Sequence, residues 1–468
     1  MRMKKTFAAI LCGTMLFSLC SCNDFLSGLL NSGNSSSEQS SVSLEEDGSS
    51  IKEEITEKVM LKTKKYTLLL QDSESTYKIN ASIYDDGKKV EDAEVVYEVA
   101  DTNVAEVKAD GTILAKGVGL TEVKVKYKKA SATAEIRVID KTTAELVNTF
   151  DETYVNIYGR TYQKDGKLCL DHVASGVEVA IDGTGLTAEI EASAGVYLCV
   201  YVDGAEEYER IPLMAGKKSY TLASGLTEGL HTVRFVKSSE VYDGQIRVVS
   251  LSSEGFYTAP EKSNFRIEFI GDSITAGYGA LGATGTARTV ENSDACSSYA
   301  YYTAQKLGVD YSMVALQGIC VNANMWIQDR MSEVYKVVSP LNQGAYDFSD
   351  KADVVILNLG TNDAGYITSK DFDYSTQFPA DYLQLLRYIR EKNPDANIIC
   401  LYGFMGKQTS VDNGIKQAVE EFNDSKTVYL SGMFIQNGMG ANGHPSKDAQ
   451  AIWGATLAEY IELNIMGK

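Results

Sequence analysis

The sequence predicts a multidomain protein in which two β-rich segments precede a three-layer α/β domain with a parallel sheet. Three observations predict this fold class. The 468 residues are enough for about three domains of roughly 150 residues each. Residues 58–258 contain short strand-like runs separated by turn signals. From residue 264 onward, near-continuous apolar runs alternate with amphipathic helical patterns, which is typical of a parallel sheet covered on both faces.

The first 22 residues have the pattern of a targeting segment and are excluded from the fold. Basic residues near the start precede a short apolar stretch, and Leu19-Cys20-Ser21-Cys22 follows it. This ending is similar to a bacterial lipobox, in which a small residue precedes the lipid-bearing cysteine, so Cys22 is the predicted lipidation site. Secretion without a lipid is the alternative. In both cases we expect an extracytoplasmic protein. With the lipid, the protein is held at the cell surface or in the periplasm by the lipid alone. Residues 23–57 are rich in Ser and Glu and are expected to form a flexible tether.

The charge argues against a nucleic-acid partner, and the hydropathy argues against a membrane-spanning helix. A net charge of −19 argues against nucleic acid, because the chain could not neutralise a run of phosphates. After the N-terminus no apolar stretch reaches the length of about 18 residues that a membrane-spanning helix needs.

Residues 58–140 alternate apolar and polar residues with period two, as in Val123-Lys124-Val125-Lys126-Tyr127. Turn signals such as Asp110-Gly111 divide the runs, and the pattern predicts a small β-sandwich. Residues 103–107 with 111–115 resemble bacterial Ig-like group 2 domains. No residue here suggests chemistry, so we expect a spacer or an adhesive module.

Residues 141–260 are again β-rich, with strand-like runs at 177–181, 196–202 and 231–235. The five cysteines after the targeting segment are widely spaced and several lie in apolar runs, so buried thiols are expected rather than a disulfide framework. Cys169 and Cys199 are the one pair worth testing for a disulfide. His231 is expected to pack or cap within this segment.

Residues 261–468 have the pattern of an α/β domain. Strands are predicted at 266–270, 311–316, 353–359, 397–403 and 427–430, and helices at 297–307, 380–392, 413–422 and 447–463. Sites in such sheets lie outside the carboxyl ends of the strands.

Three polar residues follow element ends in this domain. Ser273 comes directly after a buried strand, where we expect a turn into a helix whose free N–H groups suit an oxyanion. Asn362 follows another strand and offers an amide, and His444 precedes the last helix. The chain has three histidines, and the other two lie in the β-rich region, so His444 is the candidate base. Together they form the set that nucleophilic acyl transfer requires. The alternative is a turn serine, a turn asparagine and a helix-capping histidine.

On these residues the sequence resembles the SGNH (GDSL-like) hydrolase superfamily, whose fold is flavodoxin-like. Ser273, Asn362 and His444 match its first, third and last motif blocks, and Gly318 matches the glycine whose N–H completes the oxyanion hole. The resemblance implies an oxyanion hole made by Ser273, Gly318 and Asn362. The family usually carries an Asp three residues before the His, where this chain has Ala441.

A second resemblance covers residues 141–468. Gly159-Arg160, Val202-Asp203-Gly204 and the run from Gly229 to Lys237 and Glu240 are similar to the N-terminal jelly roll of carbohydrate esterase family 2. Residues 330–335 and 346–349 also look like that family, which often lacks the triad Asp. The resemblance implies a serine esterase that removes O-acetyl groups from polysaccharides such as xylan or mannan through an acetyl-enzyme.

Tyr278 and Trp326 are the candidate residues for stacking on sugar rings, with structural packing as the alternative for each. Three scattered histidines provide no metal-ligand spacing, so neither a metal nor a cofactor is expected. Two other functions stay open: an SGNH lipase or peptidoglycan-directed deacetylase with the same machinery, and a non-catalytic carbohydrate-binding surface lipoprotein.

The orientation of His444 is a separate prediction. A general base needs a partner on its second ring nitrogen, and Ala441 cannot supply one. We therefore expect a Ser273–His444 dyad in which a backbone carbonyl accepts from the imidazole.

Overall fold

The computed structural model describes residues 57–61, 65–70, 77–86, 88–140, 144–324, 326–369, 374–431 and 438–467. The predicted targeting segment with Cys22, and the predicted tether up to residue 56, lie outside the described residues. Within these ranges no helix combines the length and the apolar character needed to cross a membrane.

The described residues between 58 and 139 form mainly β-strands, as the period-two pattern predicts. In β8 the buried Val123 and Val125 alternate with the exposed Glu122 and Lys124. One sheet has the order β2-β9-β8-β5, another has the order β1-β3-β4, and β6 pairs with β7. The strands are β1 (Lys58–Leu61), β2 (Lys65–Leu69), β3 (Ala81–Asp85), β4 (Lys88–Val90), β5 (Val96–Val99), β6 (Ala105–Val107), β7 (Ile113–Ala115), β8 (Gly119–Tyr127) and β9 (Ala130–Ile139).

Residues 144–256 build one antiparallel sheet whose main path is β12-β13-β20-β14-β19-β16-β17. Its strands are β10 (Ala144–Val147), β11 (Val155–Tyr158), β12 (Tyr162–Lys164), β13 (Lys167–Leu170), β14 (Gly176–Asp182), β15 (Leu186–Ala192), β16 (Val196–Val202), β17 (Glu209–Leu213), β18 (Gly216–Ala223), β19 (Leu230–Lys237) and β20 (Ile246–Phe256). The immunoglobulin-like and jelly-roll identities of these two β-rich regions, and the domain boundaries, stay predictions.

The described residues from 266 onward form an α/β unit. Its parallel sheet has the order β22-β21-β25-β26-β27, so the strands lie in the order 2-1-3-4-5 of a flavodoxin-like sheet. The strands are β21 (Arg266–Gly271), β22 (Asp310–Ala315), β23 (Val337–Ser339), β24 (Asn342–Ala345), β25 (Val354–Asn358), β26 (Asn397–Tyr402) and β27 (Thr427–Ser431), of which β23 and β24 form a separate hairpin. The helices are α1 (Tyr299–Leu307), α2 (Met331–Val334), α3 (Thr361–Ser369), α4 (Phe378–Lys392), α5 (Thr409–Phe422) and α6 (Lys447–Asn464), with 3-10 turns at Ala295–Ser297, Tyr374–Thr376 and Ala441–Gly443.

Two apolar cores cover the two faces of the parallel sheet. In β21, Ile270 packs into the core formed with α4 and α5, whereas Phe269 packs into the core formed with α1 and α6. β21 and β25 are fully buried because both of their faces are covered, which explains their near-continuous apolar runs. Trp453 of α6 is 1% exposed and packs edge-on against Phe404.

A buried cation joins the antiparallel sheet to the α/β unit. The Arg160 guanidinium donates to Glu268 Oε1 at 3.0 Å and to the Tyr335 carbonyl at 2.7 Å. It also lies 4.0 Å from the Tyr346 ring centroid and 5.0 Å from that of Phe348. Apart from Glu268, these residues lie in the segments on which the resemblance to carbohydrate esterase family 2 rests, and their contacts join the β-rich region to the α/β unit.

The cysteines and the remaining histidines have structural environments. Cys169 and Cys199 are free and buried, which confirms the expected buried thiols, and Cys199 lies beside Asp294 and Cys296. His231 packs as expected, with Nδ1 2.8 Å from Asp203 Oδ2. His172 lies in a turn after β13, with Nε2 3.0 Å from the Val338 carbonyl.

Candidate active site

Ser273 lies in a tight loop after β21 rather than at the start of a helix. Ile274 N donates to the buried Asp272 Oδ1 at 2.9 Å, and Tyr278 N donates to the Ser273 carbonyl at 3.0 Å. The predicted helix after Ser273 is wrong because Gly277 and a second glycine two residues later adopt φ values of +69° and +63°, which end any helical turn. The serine hydroxyl is therefore presented by consecutive turns.

His444 contacts the nucleophile directly. Its Nε2 lies 2.8 Å from Ser273 Oγ, a distance that permits proton transfer. Left-handed backbone at Asn442 (φ +51°) and Gly443 (φ +69°) turns the Asn442 carbonyl toward the ring, 3.3 Å from Nδ1. Among the described residues no carboxylate hydrogen-bonds to this nitrogen, which agrees with the backbone-carbonyl partner expected from the sequence.

Ala441 occupies the position of the usual family Asp, and the structure shows why a methyl group fits there. The Ala441 side chain is fully buried and lies against Gly279 and Gly282. A Cβ added at Gly279 would lie 2.9 Å from the Ala441 Cβ, and one added at Gly282 would lie 2.6 Å from it. Ala441 N also donates to the Gly279 carbonyl at 2.9 Å. Close packing of the two loops therefore leaves no room for a carboxylate.

Tyr278 and Arg288 shape the surroundings of the imidazole. The Tyr278 ring lies 4.3 Å from the His444 ring, and its hydroxyl accepts from Asn442 Nδ2 at 3.2 Å. The Arg288 guanidinium lies 5.0 Å from the Tyr278 ring centroid. Burial, together with the charge of Arg288, lowers the pKa of His444, so the ring stays neutral to lower pH than a free histidine. The contacts of Tyr278 are those of a packing residue, and its stacking on a sugar stays a prediction.

Two backbone N–H groups near the serine make no hydrogen bond within the described residues. Within the described part of the chain, the amides of Ser273 and Gly318 make no hydrogen bond. Parallel register pairs Gly271 with Ala315, so both amides follow the ends of neighbouring strands. Gly318 has φ +74°, and a Cβ there would lie 2.8 Å from Trp326 Cβ, so glycine is required. The two amides are therefore the candidate donors of the oxyanion hole, which stays a prediction.

Asn362 reaches the same loop from the opposite side. It lies in the first turn of α3, after β25, whose Asn358 pairs in register with Gly271. One N–H of its amide donates to the Ile319 carbonyl at 3.0 Å, which leaves the second N–H for a ligand.

Glu240 is a residue of this region whose role the sequence did not reveal. Its Oε2 accepts from Gln317 N at 2.7 Å, immediately before Gly318. Burial raises the pKa of Glu240 to about 7, and its Oε1 has no hydrogen-bond partner in the described structure. A carboxylate from the β-rich region thus anchors the loop that supplies a candidate oxyanion donor. The resemblance in the run ending at Glu240 was the one signal of its importance.

Two further carboxyl groups lie behind the motifs. Asp272 and Asp363 are both fully buried, and Val321 N donates to Asp363 at 3.1 Å. Burial raises the pKa of each to about 7, and the charge of Asp272 adds to the effect on Asp363. Both groups accept from backbone amides, Asp272 from Ile274 N and Asp363 from Val321 N.

Trp326 is the exposed aromatic residue beside the site. Its side chain is 63% exposed and lies over Gly318. The loop that carries it also lines a cavity of 390 Å³, with Asn322, Asn324 and Arg330 in its wall. An exposed indole beside polar groups suits a sugar ring.

One group of side chains has the composition of a metal site. Ligand atoms of Cys199, Asp294 and Cys296 lie within 4.8 Å of one another. The Asp294 carboxylate already accepts from Ser238 Oγ at 2.8 Å and from Ser297 Oγ at 2.8 Å, and burial raises the pKa of both thiols. Thiols that stay protonated are poor ligands, so we assign no metal to this group.

Comparison with known proteins agrees with this geometry. Residues 157–260 match the Carbohydrate esterase 2 N-terminal family, and residues 269–426 match the GDSL-like Lipase/Acylhydrolase family. The chain therefore contains a carbohydrate esterase 2 N-terminal domain followed by a GDSL-like hydrolase domain.

Named relatives extend over both domains. Cellulase/esterase CelE of Acetivibrio thermocellus is 32% identical over 290 residues, which are 58% of this chain and 34% of CelE. This chain thus spans about a third of the length of CelE. An acetylxylan esterase / glucomannan deacetylase of Cellvibrio japonicus is 23% identical over 323 residues, covering 66% of this chain and 88% of that protein. Both names describe carboxylic ester hydrolases.

A solved structure shows the same fold. The family two carbohydrate esterase from Clostridium thermocellum, in complex with cellohexaose, has a TM-score of 0.62 and 28% sequence identity. The match covers 66% of this chain and 99% of that one.

Proposed function

We propose that this chain, with its carbohydrate esterase 2 N-terminal domain and its GDSL-like hydrolase domain, removes O-acetyl groups from plant polysaccharides of the xylan or mannan type. The observation that carries the proposal is the 2.8 Å contact between Ser273 Oγ and His444 Nε2. The names of the relatives support acetylated glycans as the substrate class.

The reaction uses an acetyl-enzyme. His444 Nε2 takes the Ser273 proton as Oγ attacks the acetyl carbon, which gives a tetrahedral intermediate. The N–H groups of Ser273 and Gly318 and the Asn362 amide donate to its oxyanion. Collapse breaks the bond to the sugar oxygen, which receives the proton from the imidazolium. Water then attacks the acetyl group, His444 takes its proton, and acetate leaves as the proton returns to Oγ.

A backbone carbonyl orients the base in this scheme. The Nδ1–H group of His444 donates to the Asn442 carbonyl, which fixes the tautomer with the Nε2 lone pair toward Ser273. A carbonyl stabilises the imidazolium less than a carboxylate does, because it has no net charge. The buried position of His444 keeps the ring neutral, which is the state that a base requires.

The experiment is acetate release from a panel of esters. The panel contains acetylated xylan, acetylated glucomannan, O-acetylated peptidoglycan and a long-chain acyl ester, each tested with wild type and with Ser273→Ala. Release from the two plant polysaccharides that disappears in the variant supports the proposal. Preference for the long-chain ester or for peptidoglycan would assign the site to a different SGNH activity. Binding of the polysaccharides without any release would indicate a non-catalytic surface protein.

The cellular location is part of the proposal. Cys22 receives a lipid after cleavage of the preceding segment, and the mature protein is held at the membrane by that lipid. Cys22→Ser is then expected to move the protein to the soluble fraction, whereas Cys20→Ser leaves it at the membrane. Retention of both variants would contradict a lipid on Cys22.

A further inference from the structure

A cavity of 510 Å³ lies between the first β-rich region, the antiparallel sheet and the amino end of the parallel sheet. Asp310, the first residue of β22, lines this cavity, whereas Gly318 follows the carboxyl end of the same strand. Six residues of strand at roughly 3.3 Å each separate the two ends by about 20 Å. The cavity is therefore distinct from the cleft at Ser273.

The walls of the cavity are fixed relative to one another. Tyr77 OH donates to the Leu230 carbonyl at 2.8 Å, and this bond joins the first β-rich region to the antiparallel sheet. Leu69 and Ile139 from one side share an apolar cluster with Ala180 from the other. The cavity is thus a built feature of the packed chain.

Three cationic side chains in this cavity have no hydrogen-bond partner within the described residues: Lys65, Arg137 and Arg234. Arg137 approaches Glu135 at 3.7 Å and Glu178 at 3.9 Å, both beyond hydrogen-bonding distance. The Arg234 guanidinium carbon lies 5.4 Å from the ring centroids of Tyr158 and Tyr201, and the charge of Glu178 acts on it. A guanidinium carries five N–H donors, and leaving buried donors without acceptors is costly.

The other charged groups of the cavity have partners. Glu178 accepts from Tyr158 OH at 2.9 Å and from Asn156 Nδ2 at 3.3 Å. Lys262 pairs with Asp310 at 3.2 Å. Lys78 pairs with Asp110 at 2.6 Å and Asp203 with His231 at 2.8 Å, while Glu122 is exposed to solvent.

The described lining as a whole has five basic and five acidic side chains. Among the five whose charges act on one another at its inner end, Lys65, Arg137 and Arg234 outnumber Glu135 and Glu178 by one charge. Burial lowers the pKa of Lys65, and the charges of Arg234 and Arg137 act in the same direction despite both carboxylates. A single bound carboxylate would neutralise this excess and accept from both guanidinium groups.

The remaining surface suits a hydroxylated ring rather than an apolar one. Hydroxyl and amide side chains of Thr67, Asn80, Thr232, Ser263 and Gln305 line the cavity. Its volume is in the range of small-molecule sites. Tyrosine and aliphatic side chains line the cavity as well, so a sugar can place its ring faces against them and its hydroxyl groups against the polar side chains.

We propose that this cavity binds a uronic acid unit of an acidic glycan, with its carboxylate on Lys65, Arg137 and Arg234 and its hydroxyl groups on the surrounding polar side chains. The site recognises a sugar that carries a charge and lies away from the proposed esterase centre. It does not depend on the proposed activity, and its failure would leave the assignment of Ser273 and His444 untouched.

The test is calorimetric titration of the full chain with glucuronate, with an oligosaccharide that carries one glucuronate unit, with glucose and with inorganic phosphate. Binding of glucuronate or of the oligosaccharide, weakened by salt and absent for glucose, is the expected result. Equal binding of glucose, or binding of phosphate as tight as that of glucuronate, would overturn the assignment to a uronic acid. The assignment would also be overturned if neither glucuronate nor the oligosaccharide bound.

Variants of the cavity residues test whether glucuronate binds in this cavity. Arg137→Gln should weaken glucuronate binding by about tenfold or more, because it removes a charge-assisted hydrogen bond. Lys65→Met should weaken it in the same direction. Lys126→Met is the matched control, since Lys126 lies on β8 in an exposed pair with Glu98. Hydrolysis of a small acetate ester should be unchanged in all three variants. Wild-type glucuronate affinity in both cavity variants would contradict the proposal.

Discussion

The carboxylate of Glu240 gives the sharpest prediction about how the β-rich domain contributes to catalysis. Glu240→Ala removes the acceptor of the Gln317 N–H group, 2.7 Å away, and frees the loop that positions the Gly318 amide. The residue itself does not contact the serine or the histidine, so we regard it as a positioning residue.

The magnitude follows from the type of hydrogen bond. Burial raises the pKa of Glu240 to about 7, so the comparison is made above this pH, where the carboxylate is charged. A bond to a charged acceptor contributes about 1.5–3 kcal/mol, which corresponds to roughly 10- to 150-fold in rate if the loss appears fully in the transition state. We expect the loss in kcat rather than in KM, because the oxyanion forms only as the reaction proceeds. Glu240→Gln keeps an uncharged acceptor of the same shape and should restore most of the activity.

The assay is hydrolysis of an activated acetate ester by wild type, Glu240→Ala, Glu240→Gln and Glu254→Ala. Glu254 is the matched control, since its carboxylate also accepts from a backbone amide of the β-rich region, Thr184 N at 2.9 Å, on an exposed surface. Unfolding temperatures are measured in parallel. Wild-type kcat in Glu240→Ala, or an equal loss in the Gln and Ala variants, would refute the positioning role.

Three further predictions concern the site and its support. Asn362→Ala should lower kcat by on the order of 10²-fold with an unchanged fold by circular dichroism, and full activity would remove the Asn362 amide from the oxyanion hole. Because the pKa of His444 is lowered, the acid limb of the kcat/KM profile should lie at lower pH than the pKa of a free histidine. Arg288→Met removes a nearby positive charge and should move this limb to higher pH. An unmoved limb would show that burial alone sets the pKa. The pKa of Asp363 is raised to about 7, so the folded state binds more protons than the unfolded state between about pH 4 and 7, and its contribution to stability is lost as the pH rises through 7. Asp363→Asn should therefore lose less unfolding free energy than wild type between pH 5 and pH 8, by at most about 3 kcal/mol in urea titrations, and identical pH dependences would contradict the buried-carboxyl argument.

The sequence predicted the α/β unit well because its strands and helices are locally encoded. The strand expected at 266–270 is Arg266–Gly271, and the helix expected at 447–463 is Lys447–Asn464. Parallel strands place their carboxyl ends at one edge, so chain order and strand ends were enough to bring Ser273, Gly318 and Asn362 together.

Features that depend on distant residues could not be predicted. The turns after Ser273 form because Gly277 and Gly279 allow close approach of the segments at Asp294 and Ala441, which no local pattern reveals. Glu240 reaches Gln317 across a domain junction and 77 residues of sequence. Periodicity identifies elements but does not say which buried polar group of one domain will meet the backbone of another.

The most direct test of the central claim is to identify the group that carries the acetyl during turnover. Wild type is mixed with an activated acetate ester, quenched in acid within the burst phase and digested for peptide mass analysis. We expect an acetyl group on Ser273 of the wild type and none in Ser273→Ala. In His444→Ala, where the base is missing, we expect the acetyl group to form far more slowly. An acetyl group on another residue, or rapid turnover by Ser273→Ala, would contradict it.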